Sequence, residues 1–270
     1  MIITDFHTHS SNSGDSYTPM NQQIESAINK GLKYLCITEH LDLDYPKMPR
    51  ENIDFNLDTD AYFNEYKQNK GIYSDKINLL FGVELGLQPH LAKTYSDYVK
   101  SWSFDFIIGS SHLCDGCDIY YPSFYEGKDE SECYRRYFES ELENINAFND
   151  FDIYGHLDYI VRYGPNKDRY YTYEKYKDII DSILCKLINL GKGIEINTKA
   201  FKSGMAHPNP CEDILKRYLE LGGEIITVGS DAHSPEFIAS EFDRAEKILK
   251  ECGFKAYCYF IDRKPIFIDL

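Results

Sequence analysis

Six of the eight histidines in this 270-residue chain stand, with several acids, at the ends of apolar runs. His7 and His9 close Ile2-Ile3-Thr4-Asp5-Phe6, His40 closes Tyr34 to Glu39, and Glu84 closes Leu79 to Val83. His112 follows Phe106 to Ser111, His156 follows Phe151 to Gly155, and Asp231 and His233 end Ile225 to Ser230. Neutral imidazoles and carboxylates are the ligands that Zn, Mn or Fe take, so these residue types point to a metal-dependent enzyme. A single strand histidine is commonly a satisfied core residue; the recurrence of six histidines at five run ends is what argues for ligands. His90 and His207 fall outside the pattern. No Ser-His-Asp or Cys-His arrangement stands out as a protein nucleophile with its base.

Such residues need elements that bring them to one place. Apolar runs of this length separated by helical stretches read as buried parallel strands, here near 2–6, 34–38, 78–83, 104–109, 151–155, 193–197 and 224–229. Helical spacing predicts helices over 19–30, 57–71, 91–102, 130–149, 173–190 and 210–221, with Gly31, Gly191 and Gly222 where helix C-caps belong. Seven strand–helix units with no nucleotide-binding glycine loop favour a closed barrel over an open sheet. Barrel enzymes build their sites at the C-terminal strand ends, where these polar residues lie. Side chains at i and i+2 share a strand face, so His7/His9 and Asp231/His233 would converge if the first and seventh strands are neighbours. The tail, Ala256 to Phe260 and Pro265 to Leu270, predicts a hairpin around Asp262-Arg263-Lys264.

Length and composition fit one large α/β domain over residues 1–270, with 43% apolar residues and no Pro/Gly/Ser-rich linker. A net charge of −15 argues against a nucleic-acid or anionic-membrane surface. The N-terminus runs straight into a strand without a signal-like leader, no run has membrane-spanning length, and the eight cysteines are scattered. A cytoplasmic protein with reduced thiols is therefore expected. Cys114-Asp115-Gly116-Cys117 has CxxC spacing without a second pair, which reads as a loop, with a redox motif as the competing reading. Oligomeric state is not legible, since a single sequence shows no interface. The 23 tyrosines concentrate in segments such as Tyr120-Tyr121 and Tyr170-Tyr171-Thr172-Tyr173, either lining a cleft or merely exposed.

His7-Thr8-His9, Thr38-Glu39-His40, Gly82-Val83-Glu84, Ser111-His112, Gly155-His156 and Ser230-Asp231-Ala232-His233 resemble, in order, the motifs of the PHP (polymerase and histidinol phosphatase) superfamily. The resemblance spans nearly the whole chain. It implies a distorted (β/α)7 TIM-like barrel carrying three divalent metal ions, Zn, Mn or Fe. By that resemblance His7, His9, Glu84 and Asp231 hold one ion, and Glu84 bridges to a second held with His112 and His156. The third takes His40, His233 and a residue of the loop after His9. That position is often histidine in the family and matches Asp15 here; Asp42, two residues past His40, is the competing candidate. Glu39 is expected to face away and be structural. Three such ions, opposed by Asp15, Glu84, Asp231 and a bridging hydroxide, would leave about two positive charges, matched to a phosphate monoester dianion. The expected reaction is phosphomonoester hydrolysis by metal-activated hydroxide.

Two further segments resemble the stand-alone histidinol-phosphatase subfamily. In Gly155-His156-Leu157-Asp158-Tyr159-Ile160-Val161-Arg162-Tyr163-Gly164, Arg162 would grip phosphate with its planar fork, or else pair with a surface acid. In Gly193-Ile194-Glu195-Ile196-Asn197-Thr198, Glu195 and Asn197 share a face. Asn197 would offer its amide to phosphate or substrate. Glu195 would meet a substrate ammonium or serve as an inner-barrel ion-pair partner. Lys202 would add a cation or be solvated, and the leaving-group acid would be Asp158, His233 or a metal-bound water. The resemblance implies hydrolysis of L-histidinol phosphate in histidine biosynthesis, with another phosphomonoester, such as phosphotyrosine or a nucleotide, as the alternative substrate. A barrel reduced to a binding module should have lost ligands, yet every family position is filled. Selectivity is expected in loops 41–56, 86–95, 113–130 and 163–172, the first a possible lid.

Overall fold

The computed structural model describes residues 1–47 and 53–270, so part of the expected lid, residues 48–52, lies outside the described residues. Seven parallel strands form one sheet in the order β1-β2-β3-β4-β7-β8-β9. They are β1 (Thr4–Asp5), β2 (Tyr34–Leu41), β3 (Asn78–Gly86), β4 (Phe106–Ser110), β7 (Ile153–Tyr154), β8 (Gly193–Asn197) and β9 (Ile226–Gly229). Each coincides with an expected strand, because strands buried on both faces appear in sequence as continuous apolar runs. The sheet curls into a nearly closed barrel. Phe6 N donates to Val228 O at 3.0 Å, Asp231 N to His7 O at 2.7 Å and His9 N to Ala232 O at 2.9 Å, so first and last strands are neighbours.

The helices α1 (Met20–Asn29), α2 (Thr59–Ile72), α3 (Ala92–Ser101), α4 (Glu130–Ala147), α5 (Tyr173–Asn189) and α7 (Glu212–Glu220) match the predicted ones within a few residues at each end. Gly31, Gly191 and Gly222 take left-handed backbone just past α1, α5 and α7, the conformation that ends a helix and that favours glycine. Two helices were not anticipated: the single turn α6 (Lys199–Lys202) and α8 (Phe242–Cys252). Among the described residues no helix is long and apolar enough to cross a membrane.

The large core lies between the helices and the outer face of the barrel. A smaller one fills the barrel floor, where Cys36, Leu80, Phe106, Ile108 and Ile153 pack against Cys258, Tyr259 and Phe260. Those last three come from the expected C-terminal hairpin, β10 (Ala256–Ile261) paired antiparallel with β11 (Lys264–Asp269). Its tip closes the N-terminal end of the barrel: Arg263 N donates to Asp105 O at 2.9 Å, and the guanidinium reaches Asp152 and Asp150. Floor, polar layer and mouth therefore alternate along the inner face. On β2 the inner residues run Cys36, Thr38, His40, and on β3 they run Leu80, Gly82, Glu84.

Cys114 and Cys117 form the last rung of a two-residue hairpin, β5 (Leu113–Cys114) and β6 (Cys117–Asp118). Asp115 and Gly116 supply the two positive φ angles, 52° and 72°, that such a turn requires. The CxxC spacing is thus the footprint of an Asp-Gly turn, and both thiols are free.

Candidate metal centre

Parallel register sets the site. His40 and Glu84 are direct partners across β2 and β3, while His112 and His156 follow the ends of the adjacent β4 and β7. His7 and His9 meet Asp231 and His233 where β1 and β9 close the barrel. Asp231 (φ 52°) and His156 (φ 21°) leave extended backbone just past their strands, turning over the mouth in a conformation non-glycine residues rarely adopt.

Glu84, fully buried, is the hub. Its Oε2 lies 3.0 Å from His7 Nε2, 3.1 Å from His40 Nδ1 and 3.4 Å from His9 Nε2. Its Oε1 lies 3.1 Å from His156 Nε2 and 3.2 Å from His112 Nε2. Asp231 Oδ1 approaches His9 Nε2 at 3.6 Å and His7 Nε2 at 4.0 Å. Asp15 Oδ2 is 2.9 Å from His233 Nε2 and 3.8 Å from His40 Nε2. The rival, Asp42, sits elsewhere: its Oδ1 accepts His112 Nδ1–H at 2.6 Å and its Oδ2 is 3.5 Å from His40 Nδ1.

Outer partners fix which ring nitrogen faces inward. His7 Nδ1–H donates to Glu195 at 3.0 Å, while His233 Nδ1 lies 3.0 Å from Asp231 O and 3.2 Å from Lys199 Nζ. His9 Nδ1–H donates to Ser13 Oγ at 3.2 Å, while the Ser13 hydroxyl donates onward to Glu39 at 2.5 Å. The rings of His7, His9 and His112 thereby turn an Nε2 lone pair toward carboxylate oxygens. Lone pair facing carboxylate is repulsive unless a cation sits between, and His9 Nε2 is buried with no hydrogen-bond partner among the described residues. Electrostatics couples the same groups: burial works to lower His7, His40 and His112, yet the carboxylates facing them overcome it and raise them. Burial works to raise the Glu84 carboxyl, yet His7, His40 and His112 overcome it and hold it well below the usual range. Burial together with His40 and His233 pushes His9 well below the histidine range. This donor set, six imidazoles and three carboxylates with lone pairs converging, fits divalent metal ions.

Ser13 is the joint of the Glu39–Ser13–His9 relay, and its Oγ also accepts from His40 N at 3.0 Å. Ser13→Ala is expected to lower metal affinity about 10- to 100-fold, the usual cost of losing an outer partner. Zinc titration against a competing chelator would check this; wild-type affinity would mean that packing alone orients His9.

Beside the histidines opens a cavity of about 300 Å³ whose walls include His40, His112, His156, Asp231 and Lys199. Arg162 is fully buried and is not part of that wall, its Nε and NH2 donating to Asn209 Oδ1 at 3.1 and 2.9 Å and its NH2 to Asn197 Oδ1 at 3.3 Å. NH1 has no hydrogen bond among the described residues and points toward Asp231 Oδ2 at 3.6 Å. Arg162 is therefore no surface ion pair.

Several expected substrate contacts lie elsewhere. Glu195 turns to His7 Nδ1 and His156 N, behind the ligands and away from the cavity. Asn197 is a clamp on Arg162 and also donates to Glu195. Lys202 places its ammonium 3.3 Å from the centre of the Phe237 ring. Asp158 accepts from Asn209 and from Cys211 N, so it buttresses the Arg162 clamp instead of facing the cavity; burial pushes its carboxyl up to about 6. Lys199 and Asn209 escaped the sequence reading. Lys199 Nζ donates to Asp231 Oδ1 at 2.8 Å and lines the cavity, so the cation after the Glu-x-Asn-Thr strand is Lys199, one helical turn before Lys202.

The chain matches the description "PHP domain" over residues 5–199. A histidinol-phosphatase of Lactococcus lactis is 31% identical over 261 residues, spanning 96% of this chain and 95% of its own length. A protein of Clostridium acetobutylicum named a probable histidinol-phosphatase is 33% identical over 257 residues, with 94% and 95% covered. The crystal structure of the L. lactis histidinol phosphate phosphatase, complexed with zinc, L-histidinol and phosphate, superposes with a TM-score of 0.88 at 31% identity, over 97% of this chain and 98% of that one. The domain match takes in every candidate ligand from His7 to His156, and these relatives extend the likeness over nearly all the rest: the chain belongs to the PHP domain family.

Proposed function

We propose that this protein is a metal-dependent histidinol-phosphatase, hydrolysing L-histidinol phosphate to L-histidinol and phosphate. The observation that carries the reading is the convergence, at one barrel mouth, of nine ligand-capable side chains with Arg162 and Lys199 against the same Asp231 carboxylate. The relation to histidinol-phosphatases across nearly the full chain supplies the substrate.

In this reading His7, His9, Glu84 and Asp231 hold one divalent ion; Glu84, His112 and His156 a second; Asp15, His40 and His233 a third. The Asp15 assignment is supported by its reach to both histidines, while Asp42 orients His112. Bound divalent ions supply Lewis-acid charge for the phosphoryl oxygens and bring the pKa of water toward neutrality. The chain's own residues do the rest. Arg162, held by Asn197 and Asn209, offers phosphate an NH1 that faces Asp231 and has no hydrogen bond among the described residues, so little reorganisation is needed during reaction. Lys199 adds a second positive charge at the cavity edge. Glu195, Ser13 and Asp42 keep His7, His9 and His112 in the tautomer that leaves Nε2 free.

The net charge of −15 supports a small-molecule substrate over nucleic acid or an anionic membrane, and a cytoplasmic setting is the natural one for the free cysteines. Residues 1–270 are read as one barrel domain. The test is kcat/KM for L-histidinol phosphate beside p-nitrophenyl phosphate on zinc- or manganese-loaded enzyme. A preference of about a hundredfold or more, roughly 2.7 kcal/mol, is expected because dedicated contacts are needed for it. Equal low rates would discard the substrate and turn attention to other phosphomonoesters.

A further inference from the structure

The cavity has two unlike halves. Toward the barrel it is lined by the histidines, Asp231 and Lys199; toward solvent it is lined by tyrosines, Phe55 and a single carboxylate, Asp118. The aromatic half is built as two walls. One runs outward from the metal centre: Tyr159 stacks on His156 at 4.4 Å between ring centres, Tyr163 meets Tyr159 at 4.9 Å and Tyr120 meets Tyr163 at 5.1 Å. The other begins with Phe55 against His40 at 5.4 Å and continues to Tyr45 at 4.6 Å.

Asp118 joins the walls. Its Oδ2 accepts from Tyr45 OH on one side, and its Oδ1 accepts from Tyr120 N at 2.7 Å on the other. The hairpin β5–β6 explains its place: the Asp-Gly turn folds the chain back so that Asp118 pairs with Leu113, the residue after His112. The carboxylate thus sits at the junction of the metal side and the aromatic side. The other two acids of the cavity wall already have cationic or histidine partners, Asp15 with His233 and Asp231 with Lys199. Asp118 has neutral donors and no Lys or Arg ion pair among the described residues, although burial pushes its carboxyl up.

We propose that Asp118 and the two aromatic walls form the specificity subsite for the leaving-group half of the substrate, Asp118 pairing with a primary ammonium and the tyrosines enclosing a flat ring. A fixed, half-buried carboxylate with no Lys or Arg partner among the described residues, set between aromatic faces, is complementary to an amine that carries its own planar apolar group. The inference rests on the histidinol-phosphatase reading and moves the ammonium contact from Glu195, which is spent on His7, to Asp118.

The test uses metal-loaded enzyme and two substrates, L-histidinol phosphate and its des-amino analogue, 3-(imidazol-4-yl)propyl phosphate. Wild type should prefer the amine-bearing ester by about thirtyfold or more in kcat/KM, because a site built to pair with a polar group rejects the analogue lacking it. In Asp118→Asn that ratio should shrink to about threefold or less, chiefly through KM for L-histidinol phosphate. An unchanged ratio in the variant, or equal losses on both esters, would overturn the assignment. The wild-type ratio needs no variant to fold, and a value near one would overturn it as well. Failure of the underlying reading looks different: wild type would then show no preference for L-histidinol phosphate over p-nitrophenyl phosphate.

Discussion

Glu84→Gln is expected to lower kcat at least about a thousandfold on any phosphomonoester, equivalent to roughly 4 kcal/mol, and to strip the protein of bound metal. The substitution keeps volume and shape, so the barrel should remain folded. What it removes is charge at the one carboxylate that five histidines surround, three at Oε2 and two at Oε1. An amide supplies one neutral acceptor in place of two anionic ones. Its NH2 group must also face imidazole nitrogens whose tautomers are fixed from behind by Glu195, Ser13 and Asp42. Metal content by elemental analysis should fall together with activity. Retention of more than a tenth of wild-type kcat with full metal content would show that Glu84 does not bridge two ions, and the centre would have to be redrawn around Asp231.

The ligand positions were legible because two simple rules apply at once. Buried parallel strands announce themselves as apolar runs, and side chains two apart share a face, so His7/His9 and Asp231/His233 had to point into one mouth if the barrel closed. Closure between β1 and β9 satisfies that condition. Contacts made by loops were not legible. Asp118 and Tyr45 meet across 73 residues of sequence, and Arg162 finds Asn209 47 residues away. Neither separation has any signature in spacing. The choice between Lys199 and Lys202 turns on α6, a single turn too short to show a period, in which the first lysine reaches Asp231 and the last lies over Phe237. Helix α8 differs: its apolar spacing, Phe242, Ala245, Ile248 and Leu249, with Gly253 behind it, is a helix signal that the sequence does carry. The CxxC spacing reads as a loop from its lack of a second pair, and Asp115-Gly116 between two short pairing segments gives that loop its form.

Arg162→Lys is expected to reduce kcat/KM about 100- to 1000-fold while leaving metal content unchanged, the range seen when one preorganised donor to a transition-state oxyanion is lost. Charge alone does not explain Arg162. Its guanidinium is held in plane by three hydrogen bonds to Asn209 and Asn197, and its CZ lies 5.0 Å from the Tyr159 ring centre. That clamp leaves NH1, 3.6 Å from Asp231 Oδ2, as the one guanidinium nitrogen without a hydrogen bond among the described residues. A lysine keeps the charge but has a single nitrogen, which cannot both occupy the Asn209 clamp and reach phosphate. The ammonium would settle against Asn209 Oδ1, leaving the phosphate with Lys199 as the one cationic side chain at this edge among the described residues. Loss should therefore appear in two readouts: slower turnover, and weaker inhibition by inorganic phosphate, which shares the same contact. A drop in metal content parallel to the drop in activity would point elsewhere. It would mean that Arg162 acts only by holding Asp231 in place, and that the phosphate grip belongs to Lys199.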